Sequence, residues 1–206
     1  HSLARAVGGF RIVTLGDSTL ASASFPSNST AIGSKALKSY LGLEGPNTAI
    51  GVSALENIRR GGENVAVGPW SQHLCKEGTR NVSVGLNTLE FQLEGDDNVA
   101  LGTYALRSDS SANNSIGVGS FALARSLNNQ YNIAIGVRAM MESDSTSYTI
   151  AIGDSALALN DAKNIGSGLQ NMAVGSKALS QNTTGSYNID MEYHSLKLNN
   201  IGSYNV

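Results

Sequence analysis

Cysteine occurs once, at Cys75, so an intrachain disulfide is excluded and no thiolate cluster is available to hold a metal. Proline occurs only three times. Aromatic residues are 6% of the chain, too few to fill a thick core with large side chains. Charged residues are 15%, well below the roughly 25% of ordinary soluble domains. The formal net charge of -2 gives no basic surplus for nucleic acid or anionic membrane. No apolar run nears the roughly 20 residues of a membrane span, and His1-Ser2-Leu3-Ala4-Arg5 leads into glycines rather than a signal-peptide core. We therefore expect no cofactor, no nucleic-acid partner and no membrane insertion.

What is present is Gly, with 23 residues, together with many Asn and a small-to-medium apolar set of Ala, Val, Ile and Leu. These are arranged in a repeat. One unit reads Asn-apolar-Ala-apolar-Gly-x-x-Ala-Leu, as in NTAIGVSAL (47–55), NVALGTYAL (98–106), NIAIGVRAM (132–140), TIAIGDSAL (149–157) and NMAVGSKAL (171–179). Its glycine falls at Gly16, Gly33, Gly51, Gly68, Gly85, Gly102, Gly119, Gly136, Gly153 and Gly175. Successive positions differ by 17, apart from 18 after Gly33 and 22 after Gly153. An eleventh copy, NIDMEYHSL (188–196), has Glu192 in place of the glycine, and a twelfth begins at Asn205-Val206.

Each position has a physical reading. Apolar residues alternating with a small one have period two, the mark of a strand. The branched pair, such as Ile133 and Ile135, is expected to face the interior and the small residue, such as Ala134, the opposite face. Gly ends the strand and permits a bend, and Leu four residues later returns to the core. The preceding Asn (47, 64, 81, 98, 132, 171, 188) is expected to stack into an amide ladder. The polar remainder, such as 107–114, reads as a return strand with turns on the solvent side. A unit this short cannot hold a strand–helix pair, which needs roughly 30 residues. The fold expected is all-β: a parallel β-roll or β-helix solenoid of about eleven 17-residue coils, spanning on the order of 50 Å. Residues 1–9 read as a lead-in, 10–197 as the roll, and 198–206 as the end of a fragment, with a further repeat or a different architecture starting there. A chain that stops inside a repeat is expected to be cut from something longer.

The copies NVAVG, NVALG, NIAIG and TIAIG, each followed by x-x-Ala-Leu or a close variant, resemble the YadA-like head repeats of trimeric autotransporter adhesins. They resemble equally the repeats of bacteriophage tail fibres and tailspikes, which QNTTGSYN (181–188) matches most closely. The resemblance covers roughly residues 10–206. It implies a homotrimeric roll with the small-residue face at the three-fold axis, and a non-catalytic role in host attachment, as shaft or receptor-contacting element. The adhesin repeat is shorter than the 17-residue unit of this chain, and that departure favours a virion tail over a bacterial cell surface. The implied partner is a host-surface glycan or outer-membrane receptor.

Few residues suggest chemistry. Gly16-Asp17-Ser18 is similar to an esterase nucleophile block, but it lies on the repeat grid and recurs as Gly153-Asp154-Ser155, so turn chemistry explains it. His73 and His194 are far apart and lack metal-ligand neighbours. Glu94, Asp96 and Asp97, or Glu142 and Asp144, are the carboxylates a polysaccharide-degrading spike would need. The second residue after the repeat glycine is Trp70, Asn87, Tyr104, Phe121 and Arg138 in five successive coils. That file is a candidate glycan-contacting platform, and it suits packing in an interchain groove as well. Asp190 replaces the small residue in the eleventh unit, so the coil is expected to end there and the chain beyond Leu196 to leave it.

Overall fold

The computed structural model describes residues 11–22, 28–42, 44–160 and 168–206. The chain is all-β. Eleven short strands lie side by side in one parallel sheet, in chain order: β1 (Val13–Leu15), β2 (Thr30–Ile32), β3 (Thr48–Ile50), β4 (Val65–Val67), β5 (Val82–Val84), β6 (Val99–Leu101), β7 (Ile116–Val118), β8 (Ile133–Ile135), β9 (Ile150–Ile152), β10 (Met172–Val174) and β11 (Ile189–Asp190). Equivalent repeat positions pair directly, Ala66 with Ser83 and Ala134 with Ala151. The molecule is therefore a solenoid, each coil adding one strand spacing of about 4.8 Å.

Strands β1 to β10 are three residues long because the glycine ends them. The ten repeat glycines have φ between +122° and +141°, and a Cβ on Gly136 would lie 2.4 Å from the Gly153 carbonyl oxygen. Only Gly meets both demands. Tight turns follow: Ala36 N–H bonds the Gly33 carbonyl, and Lys38 N–H the Lys35 carbonyl, each at 3.2 Å. The second and fourth residues after the glycine are left-handed in coil after coil, as at Tyr104 (φ 61°) and Leu106 (φ 50°). Such residues cost about 1–2 kcal/mol each. Inter-coil backbone bonds offset this, as from Leu106 N–H to the Ala122 carbonyl at 2.9 Å.

The strand faces the other way from the sequence expectation. The small residues Ala31, Ala49, Ala66, Ser83, Ala100, Ala134, Ala151 and Ala173 are fully buried inside the coil, while Leu15 is 61% exposed and Ile50, Val84, Ile135 and Ile152 are exposed as well. The reason is space. The interior is already filled by the Ala-Leu pair after each glycine (Ala105 and Leu106, Ala156 and Leu157). At Gly117, the smallest of the inward residues, a Cβ would lie 3.3 Å from Leu106 Cγ. Branched side chains have no room there and stand outward. Asp190 accordingly points into the coil and not toward any axis: it is 5% exposed, and Ser195 Oγ donates to its Oδ1.

Two further expectations are corrected. Among the described residues the return leg carries no strand, only isolated bridges such as Gln130–Ser147. Nor does the coil stop at Leu196: Thr183 N–H bonds the Asn200 carbonyl at 2.9 Å, and Ile189 N–H the Asn205 carbonyl at 2.8 Å. The extra length after Gly153 falls between Asn160 and Gly168, and residues 161–167 lie outside the described residues. The stack is unshifted across them, with Ile150 opposite Met172.

The amide ladder is present. Asn98 Nδ2 donates to Asn81 Oδ1 (3.0 Å) and to the Ala112 carbonyl (2.7 Å), and Asn98 Oδ1 accepts from Ser115 N–H (3.0 Å). The same pattern joins Asn47, Asn64 and Asn81, then Asn171, Asn188 and Asn205. These side chains are almost all buried, so most of the bonds are made in a low dielectric, where an orphaned partner is costly. Ser115 and Thr149 substitute in the ladder, each N–H still capped by the Asn one coil before.

Candidate functional site

Because units stack in register, each repeat position becomes a file along the rod. The second position after the glycine holds Trp70, Asn87, Tyr104, Phe121 and Arg138, as the spacing requires, all left-handed with φ between 53° and 61°. Trp70 is 42% exposed and Phe121 40%. Tyr104 and Phe121 touch with ring centroids 5.0 Å apart. Arg107 lies 5.0 Å from the Phe91 centroid and 5.1 Å from that of Tyr104, and its Nε is 2.7 Å from a Glu90 carboxylate oxygen.

A second file went unread in the sequence. It lies two residues before each strand from β4 to β11 and continues into the next unit: Glu63, Arg80, Asp97, Asn114, Tyr131, Tyr148, Gln170, Tyr187 and Tyr204, again all with positive φ. Tyr131 and Tyr148 stack at 5.0 Å and 5°, as do Tyr187 and Tyr204. Arg80 grips Asp97 through two bonds of 2.6 and 2.8 Å. The signal was available, since each of these tyrosines directly precedes a ladder position. The two files flank the strand face, one on each side.

Asp96, Asp97 and Glu142 are held by neighbours. Asp96 Oδ1 accepts from Thr79 N–H at 2.8 Å. The Arg80 guanidinium holds the Asp97 carboxyl below the usual carboxylate range, making it a poor proton donor near neutral pH. Glu142 pairs with Arg125 at 2.9 Å. Glu44, Glu77, Glu94 and Asp96 line a shallow groove of about 400 Å³ on the return leg. Ser18 and Ser155 occupy the same left-handed turn position, with φ 55° in both. His73 lies 3.7 Å from Glu56, which also meets Lys38 at 3.6 Å, and His194 stacks on Tyr193. Among the described residues no group of His, Cys, Asp or Glu has the arrangement of a metal site.

Cys75 is fully buried, and burial first, with the Asp96 charge second, pushes its thiol up to about 12. The folded rod should therefore resist a disulfide exchange reagent at pH 8 for hours and react fully once denatured. Rapid stoichiometric labelling of native protein would contradict this packing. The folded chain also keeps the proton longer than the unfolded one. Stability should thus fall as pH rises from about 9 towards 12.

Comparison of the chain with protein-family models, with curated proteins and with solved structures returns no match.

Proposed function

We propose that this chain is a non-catalytic shaft segment of a trimeric host-attachment fibre, of the bacteriophage tail-fibre or tailspike kind. One observation carries the reading. The outward residues of the strands form two files along the rod, apolar but for Thr30 and Thr48, from Val13 (49% exposed) and Leu15 through Ile50, Val84 and Ile135 to Ile152 and Ile189. An apolar face this long is rare on a lone soluble chain and marks an interface. Its partner must be as straight and as long, with the same repeat, and further copies of the chain meet that requirement. The repeat resemblance supplies the number three and the attachment role. The apolar face supports a trimer joined through branched residues and not through the small ones.

Light scattering on the purified chain at micromolar concentration should give three times the mass of one chain. Ile135→Asp with Ile152→Asp should reduce the mass to that of one chain, because carboxylates would be buried unpaired in the contact. A folded wild-type monomer would overturn the reading. New reducing ends on incubation with bacterial surface polysaccharides would replace the shaft with a degrading spike, whose candidate carboxylates are those of the acidic groove.

A further inference from the structure

Each strand is bordered by one file before it and another after it. These leading and trailing files run at the two margins of the apolar face. If copies associate through that face about a rotation axis, the leading margin of one copy meets the trailing margin of the next. Rotation does not shift height, so residues meet at their own level in the stack. The trailing residue is about seven positions further along a coil, which raises it by roughly 2 Å. It therefore sits between two successive leading residues of its neighbour.

We infer that these margins form a seam between chains, in which cations of the trailing file are received by tyrosines of the leading file. The residues correspond. Arg138 falls at the level of Tyr131 and Tyr148, which are 47% and 60% exposed. Among the described residues the exposed Arg138 has no ion-pair partner in its own chain. Its guanidinium fork can donate to both phenolic oxygens. Lys177 falls below Tyr187 in the same way. In the other half of the rod the roles exchange: trailing Trp70 falls at the level of leading Arg80, already fixed by Asp97, and offers it a ring face. No cation confronts a cation at these levels. The file containing Trp70 and Arg138, singled out above for glycan contact, is thus occupied by a second copy of the chain.

This inference rests on the self-association proposed above, and the test separates the two. Arg138→Cys with Tyr131→Cys, treated with a bismaleimide long enough to replace the two side chains, should give covalently linked chains on a denaturing gel. Neither single variant should. A link within one chain, across β8, leaves the mass on the gel that of one chain. Arg138→Ala and Tyr131→Ala should each lower the melting temperature by about 3–8 °C, and the pair by clearly less than the sum. An uncrosslinked double-cysteine protein that still scatters as three chains overturns the seam and leaves the trimer. Additive melting shifts also overturn the seam. A single-chain mass overturns the association itself.

Discussion

Gly136→Val should leave no folded rod at 37 °C. The residue has φ +137°, and a Cβ would lie 2.4 Å from Gly153 O and 2.6 Å from Gly153 C, backbone atoms that cannot swing aside. Strained φ costs about 1–3 kcal/mol and overpacking about 1–3 kcal/mol more. The sum, roughly 2–6 kcal/mol per chain, is a large share of a domain's stability. A glycine off the repeat grid is no milder a site. Gly95 is off the repeat grid and looks tolerant in sequence. Yet its φ is +143°, and a Cβ there would lie 2.2 Å from Ala112 O. It belongs to a second inward file with Gly61, Gly78 and Gly185, each of which would meet backbone at 3.0 Å or less. Gly95→Val should therefore be as damaging as Gly136→Val. Circular dichroism melts decide it, and a Gly95 variant melting like wild type would contradict the crowding.

Asn98→Ala should be the most damaging truncation of a polar side chain in the rod. It strips Ser115 N–H of its side-chain partner, leaves the Ala112 carbonyl only the 3.4 Å bond from Gln92 Nε2, and removes one of the donors to Asn81 Oδ1. A buried orphan costs about 1–3 kcal/mol and each further bond lost about 0.5–1.5 kcal/mol, so a loss of roughly 2–5 kcal/mol per chain is expected. Asn98→Ser should cost much less, because Ser115 already fills a ladder site and its hydroxyl receives Asn132 N–H at 3.4 Å. Chemical denaturation of the three proteins checks both. An alanine variant as stable as the serine one would show that the ladder contributes shape and not energy.

Most of the architecture was legible because the repeat carries it. The positions of the strands, the glycine closures, the inward leucines and the asparagine ladder all follow from a motif seen eleven times. What the motif did not carry was polarity. Period two says that Ala134 and Ile135 face opposite ways and is silent about which way is in. Larger apolar residues usually define the core, but a coil only a few residues across has no space for them once Leu106, Leu123 and their equivalents are inside. The return leg misled for a related reason. Its polar residues looked solvated, yet Gln92, Asp109, Ser126 and Asn129 are fully buried. Asp109 is held by three backbone N–H groups, from Ser111 at 3.2 Å and from Asn128 and Asn129 at 2.9 Å, a partnership no local pattern announces.

The return leg also fixes what kind of length change the rod can accept. Both departures from the regular spacing fall there, between the seventh position after a glycine and the ladder position: a single insertion between Tyr40 and Asn47, a longer one between Asn160 and Gly168. The strands on either side stay opposite their equivalents. An insertion inside a strand would instead turn every later small residue of that strand outward. Rod length is thus counted in whole coils. Duplicating or deleting one unit should move everything beyond it by one strand spacing, about 4.8 Å, and leave the cross-section as it was, while additions on the return leg change girth at a single level and length not at all.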